Sequence, residues 1–157
     1  PDLLLTTRFY ELHLLDLEGY QPQLFRCLVC GDTIQPVVNY FDPDRLGVLC
    51  ARCGEGLLDG YGASSGAGRQ VRPVPVNTLK VLRYLQTHEY EQCMRLRLSS
   101  GTHHDMEALM MHYITYILER NLKSVEFLFL LRSGALHPPD RTHPRDTTQP
   151  HEKERVQ

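Results

Sequence analysis

Cys27-Leu28-Val29-Cys30-Gly31 and Cys50-Ala51-Arg52-Cys53-Gly54 decide how the rest of this chain is read. Each is a CxxC knuckle followed by glycine, and residues 31–49 separate the two. Two such knuckles at this spacing match a four-cysteine structural zinc site. The two-residue gap lets both sulfurs of a knuckle turn toward one ion. Gly31 and Gly54 can take positive φ and let backbone N–H groups approach the thiolates. Four thiolates fill a tetrahedral site and leave no position for water or substrate, so the predicted zinc ion is structural, with Cys27, Cys30, Cys50 and Cys53 as ligands. The competing reading, a pair of disulfides or free thiols, needs an oxidising compartment, and no secretory segment is present.

Between the knuckles, Pro36 to Phe41 is β-prone, Asp42-Pro43-Asp44-Arg45 is a turn signal, and Leu46 to Leu49 returns toward Cys50. The expectation is a zinc-ribbon-like β-hairpin with the metal at its open end. So small a lobe buries little apolar surface, so metal binding should supply much of its folding free energy. Its charges are mainly acidic, Asp32, Asp42, Asp44, Glu55 and Asp59 against Arg45 and Arg52. That favours a stapled structural lobe over a ribbon that reads nucleic acid directly.

Outward from the lobe the pattern is helical. Leu5, Phe9, Leu12 and Leu15 predict a helix over residues 3–18. Tyr10, Leu14 and Leu17 widen its stripe and predict burial on more than one side. Gly19 ends this helix, and Gly19-Tyr20-Gln21-Pro22 leads straight into Cys27, so the lobe reads as an insertion between helices. After the second knuckle, Leu57 to Ala67 reads as a flexible connector rich in glycine and serine, without the GxxxxGK[ST] pattern of a phosphate loop. Residues 68–73 continue as an extended basic approach. Asn77 is the expected N-cap of a helix carrying Leu79, Val81, Leu82 and Leu85. Residues 88–97 either extend it or form a second short helix. Thr102 with Asp105 approximates a capping box for a helix bearing Met106, Leu109, Met110, Tyr113, Ile114, Ile117 and Leu118. Asn121-Leu122-Lys123-Ser124 is expected to separate it from a last helix, which Ser124 caps and Gly134 ends. The stretch after His137 is rich in Pro, His, Thr and charge and reads as a disordered tail.

The fold class is therefore mainly α: a helical bundle with an inserted four-cysteine zinc-ribbon-like β-hairpin. The expected organisation is a helical domain from 1–26 and 69–136, an inserted zinc module and connector at 27–68, and a tail at 137–157. The chain opens on Pro1-Asp2-Leu3 without Met, close to an apolar helical pattern, as a piece of a longer chain would.

The net charge of −2 excludes a uniformly basic nucleic-acid binder but not a local basic face. Arg69, Arg72, Lys80, Arg83, Arg95 and Arg97 are the candidates for a DNA-contacting patch, against the alternative of a solvated helix face. Of five cysteines, only Cys93 is left after the zinc set, and it reads as a small buried hydrophobe. His103, His104 and His112 lack further ligands for a second metal site. No apolar run reaches transmembrane length. No nucleophile elbow, HExxH or persuasive carboxylate pair is present, so no catalytic residues are assigned.

The order of features resembles the C-terminal part of the bacterial recombination-mediator family RecO. The resemblance rests on Phe9-Tyr10-Glu11-Leu12-His13-Leu14-Leu15, Gly19-Tyr20-Gln21-Pro22-Gln23-Leu24 and the first knuckle. It continues through Phe41-Asp42-Pro43, Gly47-Val48-Leu49 with the second knuckle, Leu82-Arg83-Tyr84-Leu85, Tyr113-Ile114 and Lys123 to Leu128. It covers roughly residues 3–133 and implies a non-enzymatic mediator of DNA repair and recombination, cytoplasmic and nucleoid-associated. The implied partners are RecR, the C-terminal tail of single-stranded-DNA-binding protein, and single- and double-stranded DNA, with recombinase loading as the outcome. The family's N-terminal OB-fold is absent from these residues, which implies weakened DNA binding. Two other readings stand beside this one: a protein-interaction module with little DNA affinity of its own, and a zinc-ribbon nucleic-acid-binding regulator.

Overall fold

Helix α1 (Leu3–Leu17) forms where the sequence predicts it. Asp2 caps it, its carboxylate accepting from the Leu5 N–H at 3.1 Å, and Gly19 follows the end at φ 77°. In this computed structural model, residues 2–60 and 71–132 are described, with the backbone alone at 59, 60 and 126–132. The predicted stripe of Leu5, Phe9, Leu12 and Leu15 is buried. The widening is not: Tyr10, Leu14 and Leu17 are exposed, so α1 buries one face. Apolar type alone does not distinguish the two faces; packing of one side against α3 does. Arg8 joins the buried face because its guanidinium holds Glu11 at 3.0 Å.

Two short strands follow, β1 (Asn39–Asp42) and β2 (Gly47–Leu49), paired antiparallel with Tyr40 opposite Leu49 and Asp42 opposite Gly47. The turn is set by Asp42, whose carboxylate accepts from the Asp44 N–H at 3.0 Å, and by Leu46 at φ 60°. The expected hairpin is present, but it does not stand alone. Strand β3 (Arg72–Val74) pairs antiparallel with β1, giving the order β2-β1-β3. Pro73 fits there because β3 is an edge strand.

Helix α2 (Ala51–Gly60) begins inside the second knuckle and occupies the start of the stretch read as connector. Helix α3 (Val76–Thr87) starts after Pro75, so Asn77 lies in its first turn and is not the cap. Proline pre-sets the backbone there without a side-chain cap bond. Helix α4 (Tyr90–Cys93) is the second short helix, closed by a reciprocal capping box between Glu89 and Gln92.

Helix α5 runs from Ser100 to Arg132 without a break. The cap is Ser99, whose hydroxyl accepts from the Thr102 N–H at 3.2 Å, in place of the expected Thr102. Asn121 to Ser124 do not interrupt it. Neither Gly nor Pro occurs between 102 and 132, and Asn and Ser lower helix propensity only modestly. Met106, Leu109, Met110, Tyr113 and Ile117 face the core, Ile114 is half-buried, and Leu118 is exposed.

Residues up to Asn121 form one compact unit; from Leu122 the remainder of α5 belongs to a second. In the first unit a single apolar cluster joins α1, the sheet, α3 and α5. Its centre is Phe41 against Tyr113, edge to face at 5.0 Å between centroids. The Tyr113 hydroxyl donates to the Tyr20 carbonyl at 2.7 Å, which anchors the lead-in to the first knuckle. The connector from 61, Arg69, the helix end at Gly134 and the tail at 137–157 lie outside the described residues.

Candidate metal centre

The first knuckle is a tight loop closed by its own backbone. The Cys27 N–H donates to the Asp32 carbonyl at 2.8 Å, and the Gly31 N–H donates to the Cys27 carbonyl at 2.9 Å. Gly31 has the expected positive φ, 78°, which a side chain would strain. The second knuckle is the first turn of α2, where the Gly54 N–H donates to the Cys50 carbonyl at 2.9 Å. Gly54 does not have the positive φ expected of it. It is required for a different reason: a Cβ there would fall inside the Tyr40 ring. Gly47 likewise lets β2 approach the Gln23 backbone, so that the Val48 N–H donates to the Gln23 carbonyl at 2.9 Å. These contacts clamp the lead-in segment onto the strand that ends at Cys50.

The result is a cluster. The sulfurs of Cys27, Cys30, Cys50 and Cys53 all lie within 4.8 Å of one another, with Cys30 and Cys50 3.8 Å apart. All four are free thiols, and 3.8 Å is far longer than a disulfide of about 2.05 Å. It equals the edge, about 3.8 Å, of a tetrahedron with metal–sulfur bonds of about 2.3 Å. Donor type, number and spacing therefore fit a closed tetrahedral site for a soft or borderline metal ion.

Cys27 is buried, and Cys30 is exposed. Burial opposes ionisation of Cys27, but N–H donors of Cys30, Cys50 and Val29 hold its thiol down to about 6. Cys53 is pushed up to about 12, by burial and by the neighbouring cysteine sulfurs. One thiolate forms readily, and further anions at this separation require a cation between them.

Two residues that the sequence reading counted only among the charges of the lobe, Arg52 and Asp32, are neighbours of the cluster. Arg52 lies 3.6 Å from Asp32, whose carboxylate is 3.3 Å from the Cys30 sulfur, and the nearby Cys30 and Cys53 sulfurs raise the Arg52 pKa. An arginine inside a CxxC and an acid two residues after one were the available signals. They are insufficient alone, because side-chain direction decides what such residues reach.

The basic candidates are dispersed among several elements. Arg72 lies on β3, Lys80 and Arg83 on α3, and Arg95 and Arg97 in the segment between α4 and α5. Arg72, Lys80, Arg95 and Arg97 are exposed. Arg83 is half-buried, donating from Nε to the Leu24 carbonyl at 2.8 Å with its guanidinium over the Phe25 ring at 5.3 Å. Burial lowers its pKa from the usual arginine value. Cys93 is fully buried beside the His88 and Tyr84 carbonyls, as a small core residue. His112 is buried, and His103 pairs with Asp2 at 3.0 Å.

Fold and site together define a class: a mainly helical module that carries a four-thiol cluster on a small antiparallel sheet. The family model described as recombination protein O, C terminal, matches residues 1–126. The DNA repair protein RecO of Roseiflexus sp. (strain RS-1) is 40% identical over 124 residues, covering 79% of this chain and 40% of that protein. The RecO protein of Dehalococcoides mccartyi (strain BAV1) is 31% identical over 136 residues, covering 87% of this chain and 48% of that one. That of Desulforamulus reducens is 30% identical over 121 residues, covering 77% and 43%. No solved structure matches the chain. The chain belongs to the RecO family of DNA repair proteins, as its C-terminal part, and spans less than half the length of these relatives. Among the described residues, no helix is long and apolar enough to cross a membrane.

Proposed function

We propose that this chain is the metal-stapled, non-catalytic part of a recombinational repair mediator, contributing to DNA binding and strand annealing and recruiting partners for recombinase loading. The family match over residues 1–126 carries this reading. The cluster of Cys27, Cys30, Cys50 and Cys53 holds one structural zinc ion. With all four positions filled by sulfur, the ion polarises no substrate and activates no water; it ties the first knuckle to the start of α2. Residues 27–68 then act as an inserted lobe of the helical domain. The partners are RecR, the acidic C-terminal tail of single-stranded-DNA-binding protein, and single- and double-stranded DNA, in a cytoplasmic, nucleoid-associated setting.

DNA contact falls to Arg69, Arg72, Lys80, Arg83, Arg95 and Arg97. Arg72, Lys80, Arg95 and Arg97 are exposed and form no ion pair among the described residues, which supports the four of them most directly. The test is fluorescence anisotropy of labelled single-stranded DNA, titrated with salt. Affinity that falls steeply with salt, and that drops when Arg95 and Arg97 become Glu, fits phosphate neutralisation by this face. No binding at low salt would move DNA contact out of this chain and leave it as the protein-interaction part. Arg83 is left unaltered in that test because its substitution also breaks the bond to Leu24.

A further inference from the structure

The four sulfurs of the cluster differ in their access to solvent. Cys27 is packed in the apolar core at 2% exposure, Cys50 and Cys53 are half-buried, and Cys30 is exposed. Cys30 ends the first CxxC and Cys50 opens the second, so the 3.8 Å between their sulfurs crosses from one knuckle to the other. A disulfide of about 2.05 Å requires that separation to close by about 1.8 Å. An exposed side chain has room for such a movement, whereas Cys27 is held by its neighbours in the core.

A thiolate bound to a metal ion is already ionised, and the thiolate is the nucleophilic form of cysteine. Cys30 therefore presents a nucleophile at the solvent-facing corner of the site. Asp32 and Arg52 pair at this corner at 3.6 Å, and both side chains are largely exposed. A small neutral oxidant is not repelled by either charge.

We propose that Cys30 is the oxidation site of the cluster: hydrogen peroxide converts Cys30 and Cys50 into a disulfide, which releases the metal ion and leaves the two knuckles covalently joined. This inference rests on the reading of the cluster as a structural zinc site. The Cys30 thiolate attacks one peroxide oxygen; an S–O bond forms, the O–O bond breaks, and two electrons pass from sulfur to oxygen. The products are the Cys30 sulfenic acid and hydroxide. The Cys50 thiolate then attacks the Cys30 sulfur, forming the S–S bond and expelling a second hydroxide. Both hydroxides take up protons. Two thiolates, one peroxide and two protons thus give one disulfide and two waters. The site retains only Cys27 and Cys53 as donors, too few to hold the ion. The new bond closes the loop of residues 31–49 as the ion did, so the lobe stays shut after the ion leaves.

The test uses the whole chain, reduced and loaded with zinc, in buffer free of reductant. Hydrogen peroxide is expected to release zinc to a chromogenic chelator, one ion per peroxide consumed, with loss of two hydrogens from the mass of the chain. Peptide mapping is expected to find Cys30 joined to Cys50, and dithiothreitol to restore zinc binding. Brief labelling of the loaded chain with a trace of iodoacetamide is expected to modify Cys30 at least about tenfold faster than Cys27, a comparison that needs no variant. The amides of Leu28 and Val48 are expected to keep their protection within about tenfold after oxidation. Zinc retained in peroxide, labelling that begins at Cys27, a different disulfide pairing, or a lobe that opens on oxidation overturns the proposal while leaving the zinc site intact. A reduced chain that binds no zinc refutes the metal reading itself, and this inference with it.

Discussion

Cys50→Ser removes one donor from a cluster in which the Cys50 and Cys30 sulfurs stand 3.8 Å apart. The serine hydroxyl does not ionise near neutral pH and is a poor ligand for a thiolate-selective metal. An ion held by both knuckles closes the loop formed by residues 31–49. A cross-link over a loop of roughly this size constrains the unfolded chain by about 3 kcal/mol. At 1.4 kcal/mol per decade, that is about a 100-fold loss of protection in the lobe. The reporting amides are those of Leu28, bonded to Val48 at 3.1 Å, and Val48, bonded to Gln23 at 2.9 Å. Amide hydrogen exchange read by mass spectrometry, with metal content measured on the same samples, compares these peptides with Met106 to Leu118. The lobe is expected to open about 100-fold faster and the helix much less, since Met106, Leu109, Met110 and Ile117 belong to the core cluster that α1 and α3 also build. Phe41 on Tyr113 carries some of the loosening across, so the helix is not expected to be silent. An equal rise in both regions would refute the treatment of 27–68 as a lobe with its own metal-dependent opening. An unchanged lobe would refute the staple itself.

Gly54→Ala places a methyl group in the Tyr40 ring and is expected to cost about 1–3 kcal/mol, seen as a lower urea midpoint with an unchanged slope. Tyr113→Phe removes the donor to the Tyr20 carbonyl and is expected to cost about 1–2 kcal/mol by the same assay. Burial raises the Tyr113 pKa above the ordinary 10.0, with Tyr20 adding to the rise. The unfolded chain therefore ionises first, and stability falls as pH rises above about 10; Tyr113→Phe should flatten that alkaline slope. Arg83→Ala is expected to speed amide exchange at Phe25 and Arg26, because the Arg83 bond to Leu24 holds the approach to the first knuckle. Unchanged exchange there would mean that the clamp on Gln23 suffices by itself.

The sequence alone determined the local features. Two CxxC knuckles marked out the four cysteines that cluster, because a two-residue gap suffices to turn the two sulfurs of a knuckle to one side. Apolar periodicity placed α1, α3 and the core face of α5, because a helix repeats its own buried stripe every 3.6 residues. Tertiary structure decided the rest. That Leu14 and Leu17 stay exposed while Arg8 is buried depends on which side of α1 meets α3, and composition holds no record of the neighbour. Strand β3 became a strand because β1 offered an open edge thirty residues earlier in the chain, a partner no local window contains. Asn121 to Ser124 stayed helical because weak breakers yield to a helix already extended on either side, where each further residue adds a hydrogen bond at little entropic cost. Leu14 and Leu118 came to flank one groove in the same way, by packing of α1 beside α5 across about a hundred residues of sequence.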